Sequence, residues 1–296
     1  MDIDAIVVGG SFAGISAALQ LARARRRICV VDAGAPRNRC ASASHGFFGH
    51  DGRAPLALIA QARQQLLAYP TVRFVAAQAV AAAPQGEGFA LTLDDGERLA
   101  GRRLLLATGV RDLLPGLPGL AERWGLSVAH CPYCHGYEFD RQPLGVLYRM
   151  PLSLHQAQLV AEWGPTTLFL DGHAIGDAER AQLAALGIAV EPGPVQALEG
   201  EGTALAGVRL AGRVVPLRGL FIAPTVAMAS PLAGQLGCAF DASPAGPFIR
   251  VEDGQTTVPG VFAAGDAAMA WSNATQAAAQ GVLAGAAMHR AMVFGG

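Results

Sequence analysis

At 296 residues the chain exceeds one small core and suits two domains. Hydrophobic residues make up 52% and charged residues 15%, with 37 glycines, which excludes a disordered chain and indicates a globular one rich in tight turns. A formal net charge of −1 and a pI near 6.6 exclude electrostatic capture of nucleic acid or of a membrane surface.

The opening Met1-Asp2-Ile3-Asp4 is acidic and unlike a signal peptide. Ala5 to Val8 then reads as a short apolar strand, Gly9 to Gly14 as a tight turn, and Ile15 to Arg25 as an Ala- and Leu-rich helix. Arg23, Arg25, Arg26 and Arg27 complement the dipole at the end of that helix. Ile28 to Val31 returns as a parallel strand ending at Asp32, which completes a βαβ unit. A loop runs to about Arg53, followed by a helix from Ala54 to Leu67 and strands around Val72–Ala76 and Phe89–Leu93. Asp94 to Glu97 reads as a hairpin turn, and Leu104 to Gly109 as a buried strand ending in small residues.

Pro115, Gly116, Pro118 and Gly119 break regular structure and mark a domain boundary. A second βαβ rhythm follows: strand Leu144–Tyr148, helix Leu152–Trp163, strand Thr166–Leu170, then helix Ala178–Leu186 and strand Ala189–Glu191. A second crossing is expected near Phe240–Pro247, followed by Val261 to Asp266 and a long Ala-rich helix. The uncharged run Ala274 to Met288 is shorter than the ~20 residues needed to span a bilayer, so a soluble, cytoplasmic protein is expected. The fold class is α/β with parallel sheets.

Gly9-Gly10-Ser11-Phe12-Ala13-Gly14 stands where a dinucleotide fingerprint belongs, after a strand and before a helix. Gly9 permits the turn, Gly14 permits helix-on-strand packing, and Ser11, small in place of the middle glycine, still lets the backbone approach a pyrophosphate with slightly less room. Asp32 is placed to accept ribose hydroxyls. Of five cysteines, Cys29, Cys40 and Cys238 read as structural. Cys131-Pro132-Tyr133-Cys134 is different, because thiols at i and i+3 close a small disulfide ring, and a helix N-terminus there would favour a thiolate. Zinc, with His130 and His135 as further ligands, is the rival reading; the geometry of sequence neighbours argues against a closed tetrahedron, and no metal is expected.

Thr257 to Asp266 resembles the second FAD motif of the two-dinucleotide-binding-domain flavoproteins, and Ala107-Thr108-Gly109 resembles their short interdomain motif. Over nearly its whole length the chain resembles the low-molecular-weight thioredoxin reductases. The resemblance implies a discontinuous FAD domain, 1–114 and 245–296, with an inserted Rossmann-like central domain, 115–244, that carries the dithiol. It also implies a homodimer. FAD would be held by Gly9, Gly10, Ser11, Ala13, Gly14, Asp32, His45, Ala107, Thr108, Gly109, Gly265, Asp266 and Gln276. Cys134 would face the flavin and Cys131 would exchange with an external dithiol. The family's Asp after the second cysteine is replaced by His135, an acid or base near neutral pH, with His130 as the alternative. His45 and His50 either touch the isoalloxazine or hold their loop, and Phe48 and Trp271 either line a substrate pocket or pack.

The NADPH determinants of the family are missing. Tyr148, Arg149 and Met150 occupy the three glycine positions of the second fingerprint. Leu170-Asp171-Gly172-His173 places an acid where the 2′-phosphate would need cations. The Cys-x-x-Cys-His-Gly-aromatic-Glu pattern is similar to that of FAD-dependent dithiol oxidases, in which a substrate dithiol reduces the enzyme and oxygen takes the electrons. The expectation is such an oxidase, acting on a small-molecule dithiol or a thioredoxin-like protein. The alternatives are a reductase fed by NADPH, ferredoxin or another flavin, and a flavin-bound redox sensor.

Overall fold

The computed structural model describes residues 3–295, which divide into two compact units. Residues 3–39, 47–111 and 226–295 form one unit, and residues 40–46 and 112–225 form the other.

In the first unit, strands Val72–Ala76, Ile28–Asp32, Ile3–Val8, Arg98–Leu106 and Val261–Ala263 lie side by side in that order, all parallel. Their apolar runs follow from burial on both faces. Ala5 and Val7 point to one core with Leu105 and Phe262, while Ile6 and Val8 point to another with Leu104 and Leu106. Helices Phe12–Arg23 and Ala274–Phe294 cover the first face. They approach closely because Gly281 and Gly285 carry no side chain; a Cβ on Gly285 would stand 2.7 Å from the Ala17 carbonyl oxygen. The chain builds outward in one direction from Ile3–Val8 and then crosses to its other side at Arg98–Leu106. The carboxyl ends of these two strands therefore form a topological switch point, where ligands of such sheets bind.

The other face is covered by an antiparallel hairpin, Ala79–Gln85 with Gly88–Leu93, and by the one-turn helix Leu232–Gln235. This corrects the expected return crossing near Phe240–Pro247. That stretch is an antiparallel hairpin, Phe240–Ser243 with Gly246–Ile249. Residues 226–244 join the first unit because Leu232, Ala233, Leu236 and Cys238 fill the same core as Ile6 and Val8.

The second unit has a five-stranded parallel sheet in the order Ala189–Glu191, Thr166–Phe169, Leu144–Leu147, Gly219–Ile222, Val128–Ala129. Helices Leu152–Val160 and Asp177–Ala185 cross between its strands, and a three-stranded meander spans residues 197–216. Among the described residues no helix is long and apolar enough to cross a membrane. Cys29 and Cys238 are buried, and Cys40 is exposed.

Candidate active site

The first unit gathers three motifs that are far apart in the chain. The Gly9–Gly14 turn follows strand Ile3–Val8, and Ala107-Thr108-Gly109 follows its neighbour Arg98–Leu106. Gly9 has φ +106°, and a Cβ there would strike the Ala107 carbonyl. A Cβ at Gly14 would strike the Gly9 carbonyl, and one at Gly10 would stand 2.8 Å from Cβ of Asp32. The Gly10 N–H donates to Asp32 Oδ1 at 2.9 Å, which fixes the acid beside the turn. Gly265, at φ +75°, packs its bare α-carbon against Ala13. Ser11 caps helix Phe12–Arg23 without spending its side chain on the first turn, so no capping oxygen covers the N–H groups there. A turn whose backbone packs this closely because its glycines carry no side chain, at a helix N-terminus and a switch point, suits a dinucleotide pyrophosphate.

Two residues beyond the sequence reading complete this cleft. Arg37 pairs with Asp266 at 3.0 Å. Gln280 accepts a hydrogen bond from the Gly265 N–H at 2.8 Å. Gln276, by contrast, closes a capping box with Asn273 at the start of the last helix. The N-x-x-Q spacing was the available signal for that role. His50 stacks on Phe47 with ring centroids 5.8 Å apart, while Phe48 and Trp271 project into solvent.

The dithiol lies in the second unit. Cys131 ends an extended segment, and Pro132 starts a single helical turn, Pro132–His135. Trp163 braces that turn: Tyr133 meets it edge-on at 5.3 Å, and a Cβ on Gly136 would stand 2.7 Å from its indole. The two sulfurs are 2.7 Å apart, with the Cys134 thiol donating to Cys131 Sγ. That hydrogen bond lowers the Cys131 pKa to about 7; burial opposes it, and the N–H groups of Cys134 and Tyr133 add to it. The same bond, burial and the charges of Cys131 and Glu138 push the Cys134 thiol upward. One helical turn has little macrodipole, so the local bonds rather than the expected helix end make the Cys131 thiolate. Alkylation of reduced protein at Cys131 is expected to speed up about tenfold per pH unit and to level off above about pH 7. A small free thiol levels off only near about pH 8.5. Mass spectrometry of iodoacetamide-treated protein checks this.

His135 is buried enough that its pKa falls below the ordinary imidazole value, against the pull of the Gly125 and Cys131 backbone and of Glu138. Its Nδ1 is buried with no hydrogen-bond partner. His130 instead stacks on Trp124, and its carbonyl accepts from Gln156 at 2.8 Å. His45, expected among the cofactor contacts, stands with the second unit, its Nε2 3.2 Å from Glu138 Oε1.

The second βαβ turn has different chemistry from the first. Tyr148 follows strand Leu144–Leu147 and packs its ring, tilted, against His173 with centroids 5.3 Å apart. The Arg149 N–H donates to Ser153 Oγ at 3.0 Å, and the Ser153 and Leu154 N–H groups donate to the Met150 and Pro151 carbonyls. Three N–H groups of this turn, those of Arg149, Ser153 and Leu154, are thus bonded within it rather than turned toward a phosphate. Asp171 accepts from the Val195 N–H at 2.8 Å.

The family described as pyridine nucleotide-disulphide oxidoreductase matches residues 3–281. An oxidoreductase from Agrobacterium tumefaciens is 44% identical over the whole of both chains, with a TM-score of 0.96. The protein HlmI is 37% identical, with a TM-score of 0.91, over 99% of this chain and 93% of its own. Thioredoxin reductase sirT of Leptosphaeria maculans is 31% identical over 97% of this chain and 93% of its own. With a dinucleotide cleft in one unit and a paired dithiol in the other, the chain belongs to the pyridine nucleotide-disulphide oxidoreductase family, as a thioredoxin reductase-like, FAD-dependent thiol-disulfide oxidoreductase.

Proposed function

We propose that the enzyme is a dithiol oxidase, which takes electrons from a substrate dithiol and does not draw them from NADPH. The observation that carries this reading is the second βαβ turn, where Tyr148 packs on His173 and the Arg149, Ser153 and Leu154 N–H groups are bonded within the turn instead of being offered to a nucleotide pyrophosphate. The dithiol, meanwhile, is intact and polarised.

In the oxidised enzyme a substrate thiolate attacks Cys131 Sγ, the Cys131–Cys134 bond breaks, and Cys134 leaves as a thiolate. The second substrate thiolate then attacks its own sulfur in the mixed disulfide and releases Cys131, whose stabilised thiolate makes it a good leaving group. The product is the substrate disulfide, and the enzyme retains the electron pair as a dithiol. His135, whose pKa burial lowers, would serve as the base that takes up a substrate proton. Gly9, Gly10, Ser11, Ala13, Gly14, Asp32, the 107–109 turn, Gly265 and Asp266 would hold FAD, which would supply the acceptor for that electron pair and the route from it to oxygen. In this reading the enzyme is a cytoplasmic homodimer, and its substrate is a small-molecule dithiol or a thioredoxin-like protein.

The names of relatives such as the Leptosphaeria thioredoxin reductase favour a second reading, with flow toward a disulfide. Anaerobic mixing separates the two. Dithiothreitol is expected to bleach the flavin band near about 450 nm, NADPH to leave it, and admitted air to restore it with one peroxide per flavin. Rapid bleaching by NADPH would overturn the oxidase reading.

A further inference from the structure

We propose that His45 and Glu138 act as a positioning pair, in which His45 holds the Glu138 carboxylate and so shields the leaving thiol Cys134 from its negative charge. The proposal rests on Cys131 and Cys134 being the exchanging pair, and it assigns to two further residues the electrostatic setting of that exchange.

The topology is the first support. Residues 40–46 stand with the second unit, although the chain on both sides of them belongs to the first. This seven-residue excursion packs at Cys40 against Gly125 and delivers His45 Nε2 to 3.2 Å from Glu138 Oε1. Gly125 is also one of the backbone groups that hold the His135 ring, so the excursion touches two residues that act on the groups beside the dithiol, Gly125 and Glu138. Glu138 stands three residues past His135, in the middle of the one-turn helix Tyr137–Phe139.

The second support is charge. Glu138 opposes ionisation of Cys134 and favours a protonated His135, while His45 acts on His135 in the opposite sense. A carboxylate with no partner would stabilise the thiol rather than the thiolate at Cys134, and a thiol is a poor leaving group. A hydrogen bond from His45 Nε2 draws that charge away from the sulfur. The titratable groups around Cys134 are Cys131, His135 and Glu138 on its own segment and His45 from the excursion; Tyr133 and His130 flank them.

The test is the pH midpoint of Cys134 alkylation in full-length, FAD-loaded protein carrying Cys131→Ser, with the adduct read at Cys134 by mass spectrometry. His45→Ala is expected to raise the midpoint by about 0.5–1 pH unit, and Glu138→Gln to lower it by a similar amount. With Glu138→Gln already present, adding His45→Ala is expected to do nothing further, because the charge it shields is gone. His45→Gln, which retains a side-chain N–H donor, is expected to stay near the parent midpoint. Equal shifts from His45→Ala with and without Glu138, or no shift at all, would overturn the proposal. Alkylation needs neither an electron donor nor an acceptor, so this result stands apart from the NADPH and dithiothreitol experiment.

Discussion

Cys131→Ser will end turnover, by at least about 1,000-fold, while the protein keeps its flavin, because the serine hydroxyl cannot join the disulfide that carries the electrons. Cys134→Ser will be as inactive but will behave differently toward substrate. With Cys134 removed, nothing within the enzyme resolves a mixed disulfide at Cys131, so a monothiol substrate supplied as its disulfide should remain attached there. The adduct mass on intact protein reports it. The reactivity of that trapped position should also change. Cys131 owes its lowered pKa first to the hydrogen bond from Cys134, so in Cys134→Ser its alkylation profile should move toward higher pH. Trapping at Cys134 in the Cys131→Ser protein, rather than at Cys131 in the other variant, would reverse the assigned order of the two thiols.

A second large effect is expected at the dinucleotide turn. Gly14→Val will yield a largely colourless protein. Its Cβ would enter the space of the Gly9 carbonyl, so helix Phe12–Arg23 must retreat from the strand and widen the turn that cradles the pyrophosphate. Overpacking of this kind costs about 1–3 kcal/mol, and on the FAD affinity alone that is about 5- to 150-fold. Gly234→Ala is the matched control, because a Cβ there meets open space. It should purify yellow. Absorbance near about 450 nm per protein, with the melting temperature measured with and without added FAD, separates lost binding from lost folding. Equal flavin content in the two variants would show that the Gly14 contact does not shape the cofactor site.

The parallel strands were legible because burial on both faces leaves an apolar run with little ambiguity, as in Ala5-Ile6-Val7-Val8. The two glycine-bearing turns were legible because only a missing side chain permits their backbone. Strand Ala79–Gln85 was not, since alanine is a weak strand former and Pro84 argues against a central strand; its pairing with Gly88–Leu93 supplies what its own sequence lacks. The crossing at 226 was obscured for a related reason. Pro and Gly near residues 244–247 signal a turn, but a hairpin turn and a domain boundary have the same local chemistry. At the sites, the closeness of Cys131 to Cys134 and of Asp32 to the glycine turn was readable from spacing. Gln280 was not, because it lies one helical turn beyond Gln276 and only the folded helix shows which of the two reaches Gly265. Arg37 with Asp266 and His45 with Glu138 join distant parts of the chain, and no sequence period records such pairs.

The close seating of helix Ala274–Phe294 on helix Phe12–Arg23 has a consequence in time. Helix Ala274–Phe294 and strand Val261–Ala263 are synthesised after the whole of the second unit, yet they complete the layer around the first βαβ unit. A ribosome releasing this chain therefore presents the strands and helices of the second unit before the first can close. Until Gly281 and Gly285 dock on Ala13 and Ala17, the first sheet lacks an outer parallel strand and half of one helical layer. Pairings this distant in sequence are slow to form, and an incomplete layer leaves apolar surface exposed to aggregation. Flavin supplied during refolding should accordingly help late, by capturing the closed sheet, and should not accelerate the early growth of secondary structure.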